Sequence, residues 1–506
     1  MTIALSFCFF VMLMVVVGNI SARRKRKHTA EDYLLAGRIH GRFAVALSAA
    51  SSAVSGFIMI GAVGAGYTMG VVALMMPLGW FFGDLVFWSL FPDQINRRAR
   101  DHHYNTVPEF ISKNAALGAR SSGSKNPGEA VAAPVNQRAV ENRISLVRKY
   151  LAIAIIILVG GYAVGQYLAV GKAVSVVFDI SMPAAVILSG VVILAYSAKG
   201  GLESSIPTQF FQALIMLTTT LGMLSVATWL GGGPAQLMDA LQSTHPELLS
   251  FKVGESWWLS LLFFAGFAGA AFAFNMGTPN LLVRIMAARS PEEAVKSRWV
   301  YMGFMQATWL SMSLFGLLMN VFFPDIADPE QALPVFSQEY LHPLISGAVM
   351  AGIFASVAST LDGQVLVVSS SFAVDVSPGF YRRMTRRFGL RYQSMVTIFV
   401  SCAVGTVAIL LKDSTNVFDI IVISASAMGG TVGLAFFITL MRWRTSVPAL
   451  LTGLAAAILT ALAWRHYGLT QYVLEAAPSF IAGLVTHQFI IKSRANQGQI
   501  KEARLD

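Results

Sequence analysis

The amino-acid sequence predicts an all-α polytopic membrane protein of about 13 transmembrane helices, and three observations carry that expectation. First, 55% of the 506 residues are hydrophobic and only 12% are charged, with a mean hydropathy of +0.62. That balance suits lipid rather than water as the surrounding solvent. Second, runs such as Ile3–Ile20, Leu151–Val170 and Ser394–Leu411 are almost free of charge and hold the ~18 residues an α-helix needs to cross ~30 Å of hydrocarbon. Backbone amides find no water there, so these runs must be helical. Third, positive charge is confined to alternate loops.

Hydropathy places the spans near 2–20, 43–68, 70–92, 148–170, 182–198, 206–231, 257–283, 299–323, 343–373, 393–411, 417–440, 446–464 and 472–491. The first has the apolar character of a secretion signal, but its basic cluster, Arg23 to Lys27, follows the apolar stretch and no small-residue cleavage site precedes it. It reads as a retained helix with the N-terminus outside. Alternate loops then fall inside and carry 33 of the 37 Lys and Arg residues, leaving Lys172, Lys252, Lys412 and Arg465 outside. This is the positive-inside pattern, with the C-terminus cytoplasmic. The net charge of +11 is therefore a topology signal and does not point to nucleic acid.

Cys8 and Cys402 both lie in apolar runs and build neither a disulfide framework nor a metal cluster. The cytoplasmic loop between Asp93 and Arg148 contains a small, polar stretch around 119–130 without apolar periodicity. We expect a disordered insertion near 113–142, and surface loops accept such lengthening cheaply.

Polar residues at membrane depth carry the functional signal. Ser48, Ser51, Ser52, Ser55 and Gly56 crowd the start of the second span, where a lipid-facing helix would carry Leu and Ile. Such a stretch can unwind, although for any one of these residues close helix packing is the simpler role. Ser356, Ser359 and Thr360, with Asp362 behind them, offer two adjacent hydroxyls on one turn. Neutral oxygens at a helix break can replace the water shell of Na⁺.

Asp84, Gln209, Asn275 and Asp362 also sit at membrane depth, where an ionisable group by default marks a pathway or a paired site. Asp84 is expected to snorkel or pair near Arg97–Arg98. No nucleophile–base pair, phosphate loop or His/Cys ligand spacing is present, and His102 and His103 read as solvated loop residues, so an enzyme is not expected.

Taken in order, the stretches Asp32 to Arg38, Ser48 to Gly66, Thr106 to Phe110, Tyr196 to Gln212, Gly277 to Arg284 and Ala358 to Leu366 with Ser369 and Ser370 resemble the sodium:solute symporter family. The resemblance spans nearly the whole chain and is strongest to the sodium/proline symporter branch. It implies a ten-helix core of two inverted five-helix repeats (5+5) within residues 43–440, flanked by an N-terminal extra helix and basic loop (1–42) and two extra helices with a tail (441–506). It further implies a bacterial inner-membrane symporter that carries a small polar organic solute, an amino acid or similar, with Na⁺ by alternating access.

Carried over by position, sodium would meet backbone carbonyls of Ser51, Val54 and Ser356 and hydroxyls of Ser359 and Thr360. The substrate would meet Ser55, Gly56, Phe57, Tyr162, Ala271 and Asn275. The chain departs from the branch at Ala53 and Gln209, where aspartates are expected, and at Ala271 and Asn275, where aromatic residues are expected. The first two changes weaken cation binding or pass the role to a proton, with Asp362 as its carrier. The last two enlarge the pocket and add an amide, which disfavours proline itself. The competing expectation is a transporter-like membrane sensor.

Overall fold

The computed structural model describes residues 2–23, 30–120, 137–254, 256–413 and 417–502. The fold is all-α, with no strand among the described residues and two isolated bridges, a parallel one between His40 and Ala288 and an antiparallel one between Val253 and Ser256. Helices long and apolar enough to cross a membrane number ten among these residues, with Met182–Ala198 a shorter apolar helix beside them.

Helix α1 (Thr2–Arg23) shows how the sequence sorts lipid from protein. Phe7, Val11 and Met14 are buried while Leu5, Phe9 and Met12 are more than 60% exposed, which is the surface a bilayer covers. Its buried stripe meets α10 (Pro343–Ser370), where Phe7 and Phe354 pack edge to face at 5.5 Å.

The second hydrophobic stretch is divided. Helix α2 (Arg42–Gly56) is interrupted at Ser55, whose φ of 38° and ψ of 176° lie outside the helical range. A π-helical turn, Phe57–Gly61, leads into α3 (Ala62–Met69). Gly70 (φ 60°) then ends α3 ahead of α4 (Met75–Leu90). A side chain on Gly70 would collide with the Leu248 carbonyl at 2.0 Å, so both its backbone conformation and its space require glycine.

The remaining long helices are α5 (Gln137–Phe178), α6 (Met182–Gly200), α7 (Leu202–Leu230), α8 (Trp257–Gly277) and α9 (Arg298–Phe322). After α10 come α11 (Arg391–Leu411), α12 (Val417–Met428), α13 (Leu434–Leu440), α14 (Val447–His466) and α15 (Ala476–Glu502). A second π-helical turn, Gly429–Gly433, joins α12 to α13. Helix α10 is central: it packs against α1, α2, α5 and α7, and it is buried without interruption from Val349 to Ser369.

Two boundaries differ from the hydropathy reading. Helix α5 has 42 residues, a length of ~63 Å at ~1.5 Å per residue, so it starts well before the apolar run at 148. The Val107–Arg120 helix likewise extends into the expected insertion. Hydropathy sees only the lipid-contacting part of a helix and misses polar turns that continue it into water. The middle of that insertion, 121–136, lies outside the described residues, as does most of the basic cluster after α1.

Small residues draw the helices together. A Cβ on Gly66 of α3 would meet the Ser313 carbonyl of α9 at 2.0 Å, and one on Gly316 of α9 would meet the Val63 carbonyl of α3 at 2.0 Å. The two helices pack backbone to backbone, as expected where dispersion rather than hydrophobicity drives association. Gly316→Val should therefore destabilise the folded protein by about 1–3 kcal/mol, read as a lower unfolding temperature in detergent, whereas Gly303→Val, at a site open within 4 Å, should leave it unchanged.

Candidate functional site

The site is organised by the break in α2. With Ser55 out of helical geometry, its hydroxyl accepts the Phe57 N–H at 3.1 Å, and the Val54 carbonyl also faces that N–H. Across the gap, the Ser359 hydroxyl of α10 lies 2.8 Å from the Ser51 carbonyl and 2.9 Å from the Ser356 carbonyl. Thr360 Oγ1 lies 3.1 Å from that same Ser356 carbonyl. Four oxygens from two helices thus converge, all of them buried. Val54 is buried beside them, but its carbonyl is turned to Phe57 rather than to α10.

A second cluster lies behind the hydroxyl pair. Asp362 Oδ2 accepts hydrogen bonds from the Ser205 hydroxyl and, at 3.2 Å, from Gln209 Nε2. Gln209 Nε2 also donates to the Ser359 carbonyl at 2.9 Å, while its Oε1 accepts from Ser48 at 2.5 Å and from Arg284 at 2.7 Å. The Arg284 guanidinium reaches Ser48 Oγ at 2.8 Å and the Asn280 carbonyl, and Asn280 Nδ2 donates to Ser52 at 2.9 Å.

Arg284 is fully buried, although by sequence it counts as a cytoplasmic-loop charge. Its helix, Pro279–Met286, turns back beneath α2 instead of leaving the protein. The sequence signal was the arginine closing the Gly277-to-Arg284 stretch, only a few residues after an apolar span.

The residues expected to meet substrate fall into two groups. Tyr162 Oη lies 3.5 Å from Ser55 Oγ, Gly56 N donates to Gln166 Oε1 at 3.4 Å, and Phe57 packs edge-on against Trp309 at 5.6 Å. Gln166 is a buried amide that the sequence reading missed, because one polar residue within α5 carries no periodic signal. Ala271 and Asn275 lie elsewhere, in the seam between α8 and α4. Ala271 sits against Gly83, and Asn275 Nδ2 donates to Asp84 Oδ1 at 2.6 Å and to the Ala271 carbonyl at 2.7 Å.

The pairing expected for Asp84 is therefore corrected. Arg97 pairs with Asp93 at 2.9 Å, and Arg98 donates to the carbonyls of Thr439 and Leu440. Asp84 faces α8 and is fully buried, so its side chain cannot reach the helix end.

A cavity of about 380 Å³ opens onto the break, with Gly56, Phe57 and Ile60 at its base and Lys172, Asp328 and Glu330 on its wall. A neighbouring cavity of about 540 Å³ shares Phe57, Gly61 and Glu330. Burial pushes the Glu330 carboxyl above its usual range; the Asp328 charge adds to the rise and Lys172 opposes it. The opposite end of α2 is closed. Arg38 binds Glu31 at 2.6 Å and the carbonyls of Met286, Ala99 and Tyr104 at 2.8–3.1 Å. Asp375 accepts from Thr106 at 2.8 Å and from Arg148 at 2.7 Å.

A broken helix beside a buried oxygen cluster, open to a cavity on one side and sealed on the other, defines a membrane transporter. The sodium:solute symporter family model matches residues 33–116 and 133–456, and the chain belongs to that family.

The chain is 25% identical to the osmoregulated proline transporter OpuE of Bacillus subtilis, covering 96% of this chain and 93% of that one. It is 24% identical to the sodium/proline symporter of Escherichia coli, covering 95% and 91%. Among solved structures, it is similar to a Na⁺-coupled sialic acid symporter in a substrate-bound outward-open state (TM-score 0.73, 16% identity, 97% and 98% covered). It is also similar to a nucleobase-cation-symport-1 family transporter (TM-score 0.50, 14% identity, 93% and 96% covered). At these identities the solved structures speak for the fold.

The Arg284–Gln209–Asp362 network yields a test by stability. Arg284→Met should cost about 3–5 kcal/mol because it strands a buried carboxylate. Arg284→Met with Asp362→Asn should recover much of that loss, read as unfolding temperature in detergent.

Proposed function

We propose that this protein is a secondary active transporter that brings a small polar organic solute, an amino acid or similar, into the cell together with Na⁺. The observation that carries the reading is the Ser359 hydroxyl 2.8 Å from the Ser51 carbonyl, which joins α10 to the break in α2 beside a solute-sized cavity. Ser51 O, Ser356 O, Ser359 Oγ and Thr360 Oγ1 are neutral oxygens, the donor type that a hard monovalent cation prefers. Their hydroxyl protons now point at carbonyls and can rotate away, which frees lone pairs for the ion. Val54 would join after a small turn of its carbonyl.

Solute binds next to this point, against Ser55, Gly56, Phe57 and Tyr162. Ala271 and Asn275 tune the seam behind Phe57 through Asp84. With cation and solute bound, the cavity side closes and the Arg38 and Asp375 contacts release, which exposes both ligands to the other side. A proton-driven version would route the charge through Asp362, but the Arg284–Gln209 bridge to that carboxylate favours a fixed, compensated charge.

We further propose the 5+5 inverted-repeat core within 43–440, a bacterial inner-membrane location, and an N-terminus outside with the C-terminus cytoplasmic. The wall charges Lys172 and Glu330 then face outward and the Arg38 seal faces the cytoplasm, which makes the conformation outward-facing. The bacterial relatives and the placement of basic residues support this orientation.

Uptake of labelled solutes into proteoliposomes under an imposed Na⁺ gradient tests the function, and uptake driven by a pH gradient alone would refute sodium coupling. Within that assay, Thr360→Ala should raise the sodium concentration for half-maximal uptake by roughly 5- to 150-fold, the equivalent of ~1–3 kcal/mol for one lost ligand in a desolvated site. Solute affinity at saturating sodium should change less. A single cysteine placed at 118–134, in a chain lacking Cys8 and Cys402, should resist an impermeant thiol reagent added outside intact cells; labelling from outside would reverse the topology.

A further inference from the structure

The sealed end of the molecule carries a helix that the transport site does not use. Its 11 residues, Pro378–Phe388, follow α10 after the π-helical turn Ser371–Asp375, and Gly389 (φ 60°) ends it just ahead of α11. None of the 11 is buried. Asp375, shortly before the helix, is the carboxylate that holds Arg148 and Thr106. The helix therefore joins the ends of two membrane-length helices at the membrane surface, on the side away from the cavity.

Its side chains are sorted into two arcs. At ~100° per residue, Arg382, Arg383, Arg386 and Arg387 share about 140° of the helix, and Phe380, Tyr381, Met384 and Phe388 share about 100° next to them. One edge of the apolar arc leans on the start of α11: Gln393 Nε2 donates to Tyr381 Oη at 3.1 Å, and Phe380 meets Tyr392 edge-on at 6.3 Å. Phe380 and Phe388 still remain 51% and 38% exposed.

The four arginines are exposed as well, and the helix carries no acid. Arg387 lies over the Phe388 ring at 5.2 Å, but among the described residues no ion pair reaches any of the four. Arg97 and Arg289, exposed near the Arg38 seal, are paired instead, with Asp93 at 2.9 Å and Glu293 at 3.3 Å.

We propose that the helix Pro378–Phe388 is a docking surface for anionic phospholipid, with its arginines on headgroup phosphates and Phe380 and Phe388 in the acyl boundary beneath. Four unpaired cations beside an open apolar arc match a surface that is anionic at the phosphates and apolar below them. Guanidinium forks suit phosphate oxygens. A soluble phosphate would meet the arginines and leave both phenylalanines in water. Because the helix continues from α10, lipid bound here fixes the end of the helix that presents Ser359 and Thr360. The inference goes beyond the transport reading and needs only the membrane-spanning fold.

The test is native mass spectrometry of the full-length protein in an uncharged detergent. It is titrated with phosphatidylglycerol, with phosphatidylcholine of the same acyl chains, and with glycerol 3-phosphate. Phosphatidylglycerol should bind about tenfold or more tightly than phosphatidylcholine, and glycerol 3-phosphate should not displace it. Arg382→Gln with Arg386→Gln should cut that preference by about fivefold or more, since each basic residue at a charged lipid surface is worth roughly fivefold in affinity.

Arg97→Gln with Arg289→Gln removes the same charge from paired residues and should keep the preference. Arg382→Lys with Arg386→Lys should keep most of it, which separates a lost site from a misfolded protein. The proposal is overturned if the two lipids bind alike, which would leave the helix a topology signal, or if glycerol 3-phosphate displaces the lipid, which would make it a soluble-phosphate site. Equal losses in the two glutamine double variants would overturn it too, because the preference would then follow net charge rather than this helix.

Discussion

Buried polar groups must be paired, and in this fold that requirement is most acute where α2 breaks. A helix interrupted at Ser55 releases backbone groups in a region with no bulk water, and each one left alone costs several kcal/mol in hydrocarbon. The structure meets that cost with side chains from other helices, Ser359 from α10 at the Ser51 carbonyl and Gln166 from α5 at the Gly56 N–H, while Asn280 holds the Ser52 hydroxyl beside them. These partners explain why α10 runs through the centre of the molecule and why the Pro279–Met286 helix folds back beneath α2. The break is tolerated only because three separate parts of the chain converge on it, and the same convergence gathers oxygens able to replace water around a cation.

The second constraint is charge. A carboxylate at the depth of Asp362 needs compensation, and Arg284 supplies it through the amide of Gln209 rather than by direct contact. That amide is well chosen for the position. Its oxygen takes two donors, and its nitrogen serves both the Ser359 carbonyl and Asp362. A carboxylate at 209 could accept from Arg284 but could donate to neither. Read from sequence alone, Gln209 is a lost acid; in the structure it is the donor that makes a nearby acid sustainable.

The contrast shows what was legible in the sequence. Apolar runs identified the membrane-length helices, because lipid imposes composition directly on them. The small-residue stretch at 48–56 and the hydroxyls at 356–360 marked the two helices that meet, since few other causes place so many short polar side chains at that depth. What stayed hidden depended on direction. Whether Asp84 turns to the cytoplasm or to Asn275 is decided by the helix face that packs on α8, and hydropathy does not encode faces in a helix apolar all round. Arg284 was misplaced for the same reason, since a count of loop charges cannot see a chain that re-enters. Gln166 and Glu330, single polar residues with no repeat around them, gave no pattern to read.

Ser359 is where these constraints meet, and it carries the argument about coupling furthest. Its hydroxyl reaches the break in α2, while its carbonyl is held by Gln209 and through it by Arg284 and Asp362. A ligand that withdraws the hydroxyl from Ser51 acts on the same residue whose backbone anchors the buried charge network. Ion binding can favour one conformation only to the extent that its affinity differs between states. The contact of α10 with α2 is where such a difference is most readily created, because separating the helices by even one hydroxyl's reach takes the Ser51 carbonyl away from the three oxygens of α10. The amide at 209 then has a consequence for strength. It holds α10 through hydrogen bonds rather than through an ion pair, so the helix is fixed firmly enough to present its hydroxyls without being locked to α2 by charge.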